Sequence, residues 1–164
     1  QQVLTRKEKM ISLQSTRGDT TMTSKLFDKI LIATDGSEKN RPAVDEALRI
    51  GRACGSTVCA VFVIETSALE SAAGAGVGSD TWTLMQSEAA SSLARVRAQA
   101  QGVSLQTAVL EGKPAAEILK YATEQGIDLI VLGTQGKRGI ERFLLGSVAE
   151  SVIRSAPCRV LVVK

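Results

Sequence analysis

The sequence predicts a single α/β domain built on an open, parallel, five-stranded sheet with helices on both faces. Three observations carry that reading. Five short apolar runs alternate with four segments of helical period. Most of the runs are continuously apolar, as strands covered on both faces are, whereas one alternates and reads as half-exposed. Strands that alternate with helices pair in parallel through right-handed crossovers, which layers helices on the sheet.

Residues 1–25 are polar and charged without sustained period, and read as an extension outside the core, disordered, partly helical or in part artificially appended. The domain proper is expected over 26–164. Its first strand is the run Ile30-Leu31-Ile32-Ala33, ending in the polar turn Thr34-Asp35-Gly36-Ser37. A helix follows from about Asn40, with Pro42 in its first turn, Ala43, Ala47, Leu48, Gly51 and Cys54 on one face, and Gly55 closing it. Residues 58–64 form the second buried strand.

Residues 67–80 are small, glycine-rich and aperiodic. Gly74-Ala75-Gly76-Val77-Gly78 lacks the G-x-G-x-x-G spacing of a dinucleotide fingerprint, so the stretch reads as a flexible connection, with a lid over a ligand as the alternative. A helix is expected over 81–101 from Leu84, Met85, Ala89, Leu93, Val96 and Ala100, with Trp82 as a packing residue. The alternating run 103–109 is the half-exposed strand, near an edge. A third helix spans 113–125, with Pro114 in its first turn and Gly126 just past its end. Strands at 129–132 and 159–163 flank the last helix.

The buried character of the first and fourth strands against the half-exposed third fits the order 3-2-1-4-5. Its topological switch lies between strands one and four, where ligands of open α/β sheets bind beyond the carboxyl ends. Asp35 and the stretch Gly133-Thr134-Gln135-Gly136 converge there. The second glycine cluster, Gly146-Ser147, opens the last helix. Glycine admits positive φ or close backbone approach, and a helix N-terminus offers unpaired amides to an anion. Together they read as a phosphate cradle. The competing readings are that Ser147 only caps its helix, that Gly146 only turns the chain, and that Asp35 only organises its turn. Lys137, Arg138 and Arg142 add charge to the site or are plain solvated surface. Glu65 is near in topology.

Composition narrows the chemistry. With 20 basic and 17 acidic residues the formal charge is +3, short of a nucleic-acid-binding balance, and 3% aromatics supply no stacking platform. Histidine is absent, which removes Ser-His-Asp and Cys-His catalysis and histidine metal sites. Cys54, Cys59 and Cys158 form no C-x-x-C pair and read as structural. No apolar run approaches the roughly 20 residues that span a bilayer, so no membrane role is expected and the cytoplasm is the default.

Gly133-Thr134-Gln135-Gly136, nine intervening residues, then Gly146-Ser147 resembles the nucleotide motif of the universal stress protein family, Gly-x2-Gly-x9-Gly-Ser/Thr. Lys29 to Ser37 resembles that family's first strand and its aspartate. Ser155 to Val163, with Ala156-Pro157-Cys158 before the apolar run, resembles its closing strand. The likeness covers about residues 27–164. It implies a Rossmann-like, ATP-binding member, with Mg2+ carried by the phosphates. Carried over, Asp35 meets the ribose or that Mg2+, Ala33 lies beside the nucleoside and Val63 touches adenine. Leu132 and Gly133 line the crevice, while Gly136, Gly146, Ser147 and Val148 hold the phosphates. The resemblance also implies homodimerisation, expected through the apolar edge strand Val160 to Val163.

No G-x-x-x-x-G-K-[ST] loop and no assignable base occur. The expectation is therefore a regulatory nucleotide-binding protein of the stress-response kind, with slow ATP hydrolysis as a side activity. The alternatives are an ATP-using hydrolase or transferase, and an interaction module that takes AMP or a cyclic nucleotide.

Overall fold

The computed structural model describes residues 25–66, 78–134 and 145–164. Over these the chain forms β1 (Lys29–Ala33), α1 (Arg41–Cys54), β2 (Thr57–Ile64), α2 (Gly78–Gln99), β3 (Ser104–Glu111), α3 (Pro114–Gln125), β4 (Leu129–Gly133), α4 (Ser147–Ser155) and β5 (Arg159–Val163). A 3-10 turn at Glu38–Asn40 leads into α1. All four strand pairings are parallel, and the order is β3-β2-β1-β4-β5, as the hydrophobic pattern predicts.

Side chains that alternate along the strands divide the core in two. Ile30, Ile32, Val58, Ala60 and Val131 face α1 and α2. Leu31, Cys59, Val61, Ile130 and Leu132 face α3 and α4. Each fully buried Ile, Leu or Val contributes about 1.5–3 kcal/mol, so continuously apolar strands are what a sheet covered on both faces demands. At the two helix ends marked by Gly55 and Gly126 the residue is left-handed, with φ of 63° and 62°, which glycine adopts without a Cβ penalty.

The two central strands are pinned at one end and parted at the other. Asp128 accepts from the backbone N–H groups of Asp28 and Lys29, both at 2.8 Å, and its own N–H donates to Lys29 O. At the carboxyl end, β1 pairs with β2 as far as Ala33↔Val61, and β4 with β5 as far as Gly133↔Val163. The β1–β4 ladder stops earlier, at Ile32↔Val131. That divergence is the crevice expected at the switch point.

Three expectations shift. Leu84 is 70% exposed, because the buried stripe of α2 runs through Ala89, Leu93, Val96 and Ala100, on nearly the opposite side of the helix. The helix itself starts earlier, at Gly78, and β3 extends to Glu111, alternating in burial as a half-covered edge strand does. The 1–24 extension and most of the glycine-rich stretch, 67–77, lie outside the described residues.

Candidate functional site

The carboxyl ends of β1, β2 and β4 bring the expected apolar residues onto one face. Ala33, Val63 and Val148 pack against the α3/α4 core, to which buried Leu132 belongs. Alternation sends Ala33 to this face and Thr34 to the other, so the first strand contributes one small apolar residue to the crevice. Trp82 packs on the opposite, α1/α2 side, in agreement with a packing role.

After Thr34, whose N–H still donates to Val61 O at 2.9 Å, the chain turns sharply. Gly36 has φ of 73°, and a Cβ there would collide with Ser92 Oγ on α2, so glycine is required twice over. Asp35 Oδ1 accepts from the Ser37 N–H at 3.0 Å and from the Ser37 hydroxyl at 2.7 Å. This is the turn-organising role weighed from sequence, and it also fixes the direction of a half-buried carboxylate at the mouth of the crevice. Asn40, 5% exposed, donates from its side-chain amide to Ala33 O at 3.4 Å. Its Oδ1 is buried and finds no donor among the described residues.

The two glycine clusters meet through the backbone. Gly146 N–H donates to Thr134 O at 2.9 Å, so the residue after β4 and the residue before α4 lie side by side. Thr134 N–H in turn donates to Val163 O, tying the loop base to β5. Gly133 and Gly146 are absent from the positive-φ glycines, and Gly146 sits at φ −62°, ψ 149°, which any residue adopts. Backbone conformation therefore does not require glycine at either position.

One expectation is corrected at α4. The N-cap is Gly146, and Ser147 is the first helical residue with an exposed side chain, so its hydroxyl caps nothing. A helix cap needs extended φ and ψ with a side-chain acceptor one position earlier, where the chain has no side chain at all. The first intrahelical bond is Glu150 N–H to Gly146 O. Glu150, the acid of the first turn, pairs with Arg154 at 2.8 Å instead of folding back. The amides of Ser147, Val148 and Ala149 thus head a nine-residue helix without a side-chain cap, the arrangement that favours an anion.

Gly136, Lys137, Arg138 and Arg142 lie outside the described residues. Thr134 acts through its carbonyl, which no side-chain pattern in the sequence marks. All three thiols are free but Cys59 alone is buried, Cys54 and Cys158 being half-buried, and burial pushes the thiols of Cys59 and Cys158 upward, away from thiolate. Among the described residues no cluster of three or more Cys, Asp or Glu gathers to hold a metal directly. None of the described helices is long and apolar enough to cross a membrane.

A model of the universal stress protein family matches residues 26–164. Universal stress protein MJ0531 of Methanocaldococcus jannaschii is 42% identical over 141 residues, 85% of this chain and 83% of that protein. The solved structure of protein MJ0577 superposes with a TM-score of 0.74 at 29% identity, covering 84% of this chain and 95% of that one. A universal stress protein from Archaeoglobus fulgidus, solved in complex with dAMP, matches with a TM-score of 0.60 at 24% identity, covers 83% of this chain and 97% of its own, and is alike in fold. With the family match running along the whole sheet whose carboxyl ends carry the glycine clusters, the chain belongs to the universal stress protein family.

Proposed function

We propose that this protein binds an adenine nucleotide, ATP with its Mg2+, in the crevice between β1 and β4, and that occupancy regulates its conformation or assembly in a stress response. The observation that carries the reading is the Thr134 O to Gly146 N–H bond, which joins both glycine clusters and sets the uncapped amides of α4 beside the parted strands. Phosphates lie against those amides, with Gly133 and Gly146 allowing their approach, Gly136 extending the cradle and the exposed Ser147 hydroxyl adding a donor. The nucleoside lies over Ala33, Val63, Leu132 and Val148. Asp35, oriented by Ser37, meets the ribose or the Mg2+ carried by the phosphates. The dAMP-bound relative supports the fold of such a crevice, while the choice of ATP rests on the two-glycine-cluster loop.

The protein acts by binding, with assembly as its output. In the sheet order β5 is an edge strand, half-exposed over Val160 to Val163, and two such edges pair into a homodimer. Three thiols without a disulfide suit the cytoplasm.

The test is a melting curve with and without ATP and Mg2+, on the wild type and on Gly146→Val. Valine is compatible with φ −62°, ψ 149°, so the fold is kept while the side chain fills the phosphate position. Ligand at 100 times its dissociation constant stabilises by about 2.7 kcal/mol, a rise of several degrees in a domain of this size. The wild type is expected to show that rise and Gly146→Val to lose it. An equal rise in both proteins would remove the phosphates from α4.

A further inference from the structure

On the opposite face of the sheet from the crevice, a cavity of about 210 Å3 opens between the turn after β1, the start of α1 and the middle of α2. Its wall carries Thr34, Arg41, Ser92 and Arg95 over Val44 and Val96. Thr34 and Ser92 are only 7% and 2% exposed, and both hydroxyls serve as acceptors. Thr34 Oγ1 accepts from the Gly36 N–H at 3.1 Å, and Ser92 Oγ from Arg95 Nη2 at 3.3 Å. Neither O–H meets an acceptor among the described residues. A buried hydroxyl without an acceptor is disfavoured, so two on one cavity wall call for a group rich in lone pairs.

Arg95 supplies the charge. Its Nη2 also donates to Gly36 O at 2.8 Å, and no carboxylate among the described residues pairs with it. Among the described residues Arg41 is held by long, exposed pairs, Glu38 at 3.7 Å and Asp45 at 4.0 Å. Among the described residues of the wall Glu38 is the one acid, so two arginines less one glutamate leave them at net +1. A guanidinium edge with two hydroxyl donors matches the geometry of a tetrahedral oxyanion.

We propose that this cavity is a second ligand site, for a small oxyanion of the phosphate class, distinct from the nucleotide crevice and sharing with it only the Asp35–Ser37 turn. The experiment is a titration of the full chain with inorganic phosphate, followed by the backbone amide resonances of Gly36, Ser37 and Ser92. Saturable shifts at those amides are expected in the wild type, with a dissociation constant in the millimolar range. They are expected to vanish in Arg95→Gln, to weaken in Arg95→Lys, which keeps the charge and loses the fork, and to persist in Gly146→Val. Amides that stay still in the wild type, or move as far in Arg95→Gln, overturn the proposal. So do shifts confined to Ser147, Val148 and Ala149 that disappear in Gly146→Val, an outcome that keeps the nucleotide crevice and removes the cavity.

Discussion

The side chain of Ser147 separates two roles that look alike in sequence. A capping serine contributes about 0.5–2 kcal/mol to its helix, but here Gly146 is the cap and the hydroxyl stands exposed. Ser147→Ala is therefore expected to leave stability within about 0.5 kcal/mol by denaturant titration, and to weaken ATP binding severalfold by calorimetry. Cys59 and Tyr121, alongside Cys158, contribute to the alkaline limit. Burial raises the two thiols and the phenol above their ordinary values of 9.0 and 10.0. Above pH 9.0 the unfolded chain releases protons that the folded chain keeps, so stability is flat through neutral pH and falls as pH rises further. Cys59→Ala should flatten the first part of that fall, which unfolding at a series of pH values measures. At this scale the sequence was legible where a side chain acts in its own right, as with Asp35 and the thiols. It was silent where the backbone acts, as with Thr134 O, and ambiguous for Ser147, whose capping depends on a one-residue shift of the helix start.

Helices and strands were readable because each carries its period and its stop signal, and the misses follow from neighbours rather than propensity. Gly51 shows how closely α1 lies on the sheet: a Cβ there would approach Val58 Cγ2 to 2.5 Å. Alanine would gain about 1 kcal/mol of helix propensity over glycine, while overpacking costs about 1–3 kcal/mol. Gly51→Ala is thus expected to be neutral to about 2 kcal/mol destabilising, the unusual sign for a mid-helix glycine replacement, and chemical denaturation reads it directly. Asp128 holds the amino end of β1 through two bonds to a charged acceptor. Its replacement by alanine should cost about 1.5–3 kcal/mol. Leu84 misled because apolar character alone does not say which stripe of a helix turns inward; the stripe is chosen by the concave surface that α2 meets over β2.

For the molecule as a whole, the strand order was legible since four continuously apolar runs and one alternating run leave few parallel arrangements. The crevice followed from that order. Its detailed shape did not, because the early end of the β1–β4 ladder depends on where each strand begins to twist away and on the turn held by Asp35 and Gly36. Assembly belongs to the same scale. If β5 pairs with its copy, Val162→Lys should convert a dimer to a monomer in sedimentation, since charges on an edge strand oppose pairing; an unchanged dimer would move the interface elsewhere. The central claim, that the head of α4 receives the nucleotide phosphates, is tested most directly by titrating the protein with ATP and Mg2+ and following the backbone amides of Gly146, Ser147, Val148 and Ala149. The account predicts large saturable shifts at these four amides together with Asp35. Binding that leaves them unmoved, or no binding at all, would contradict it.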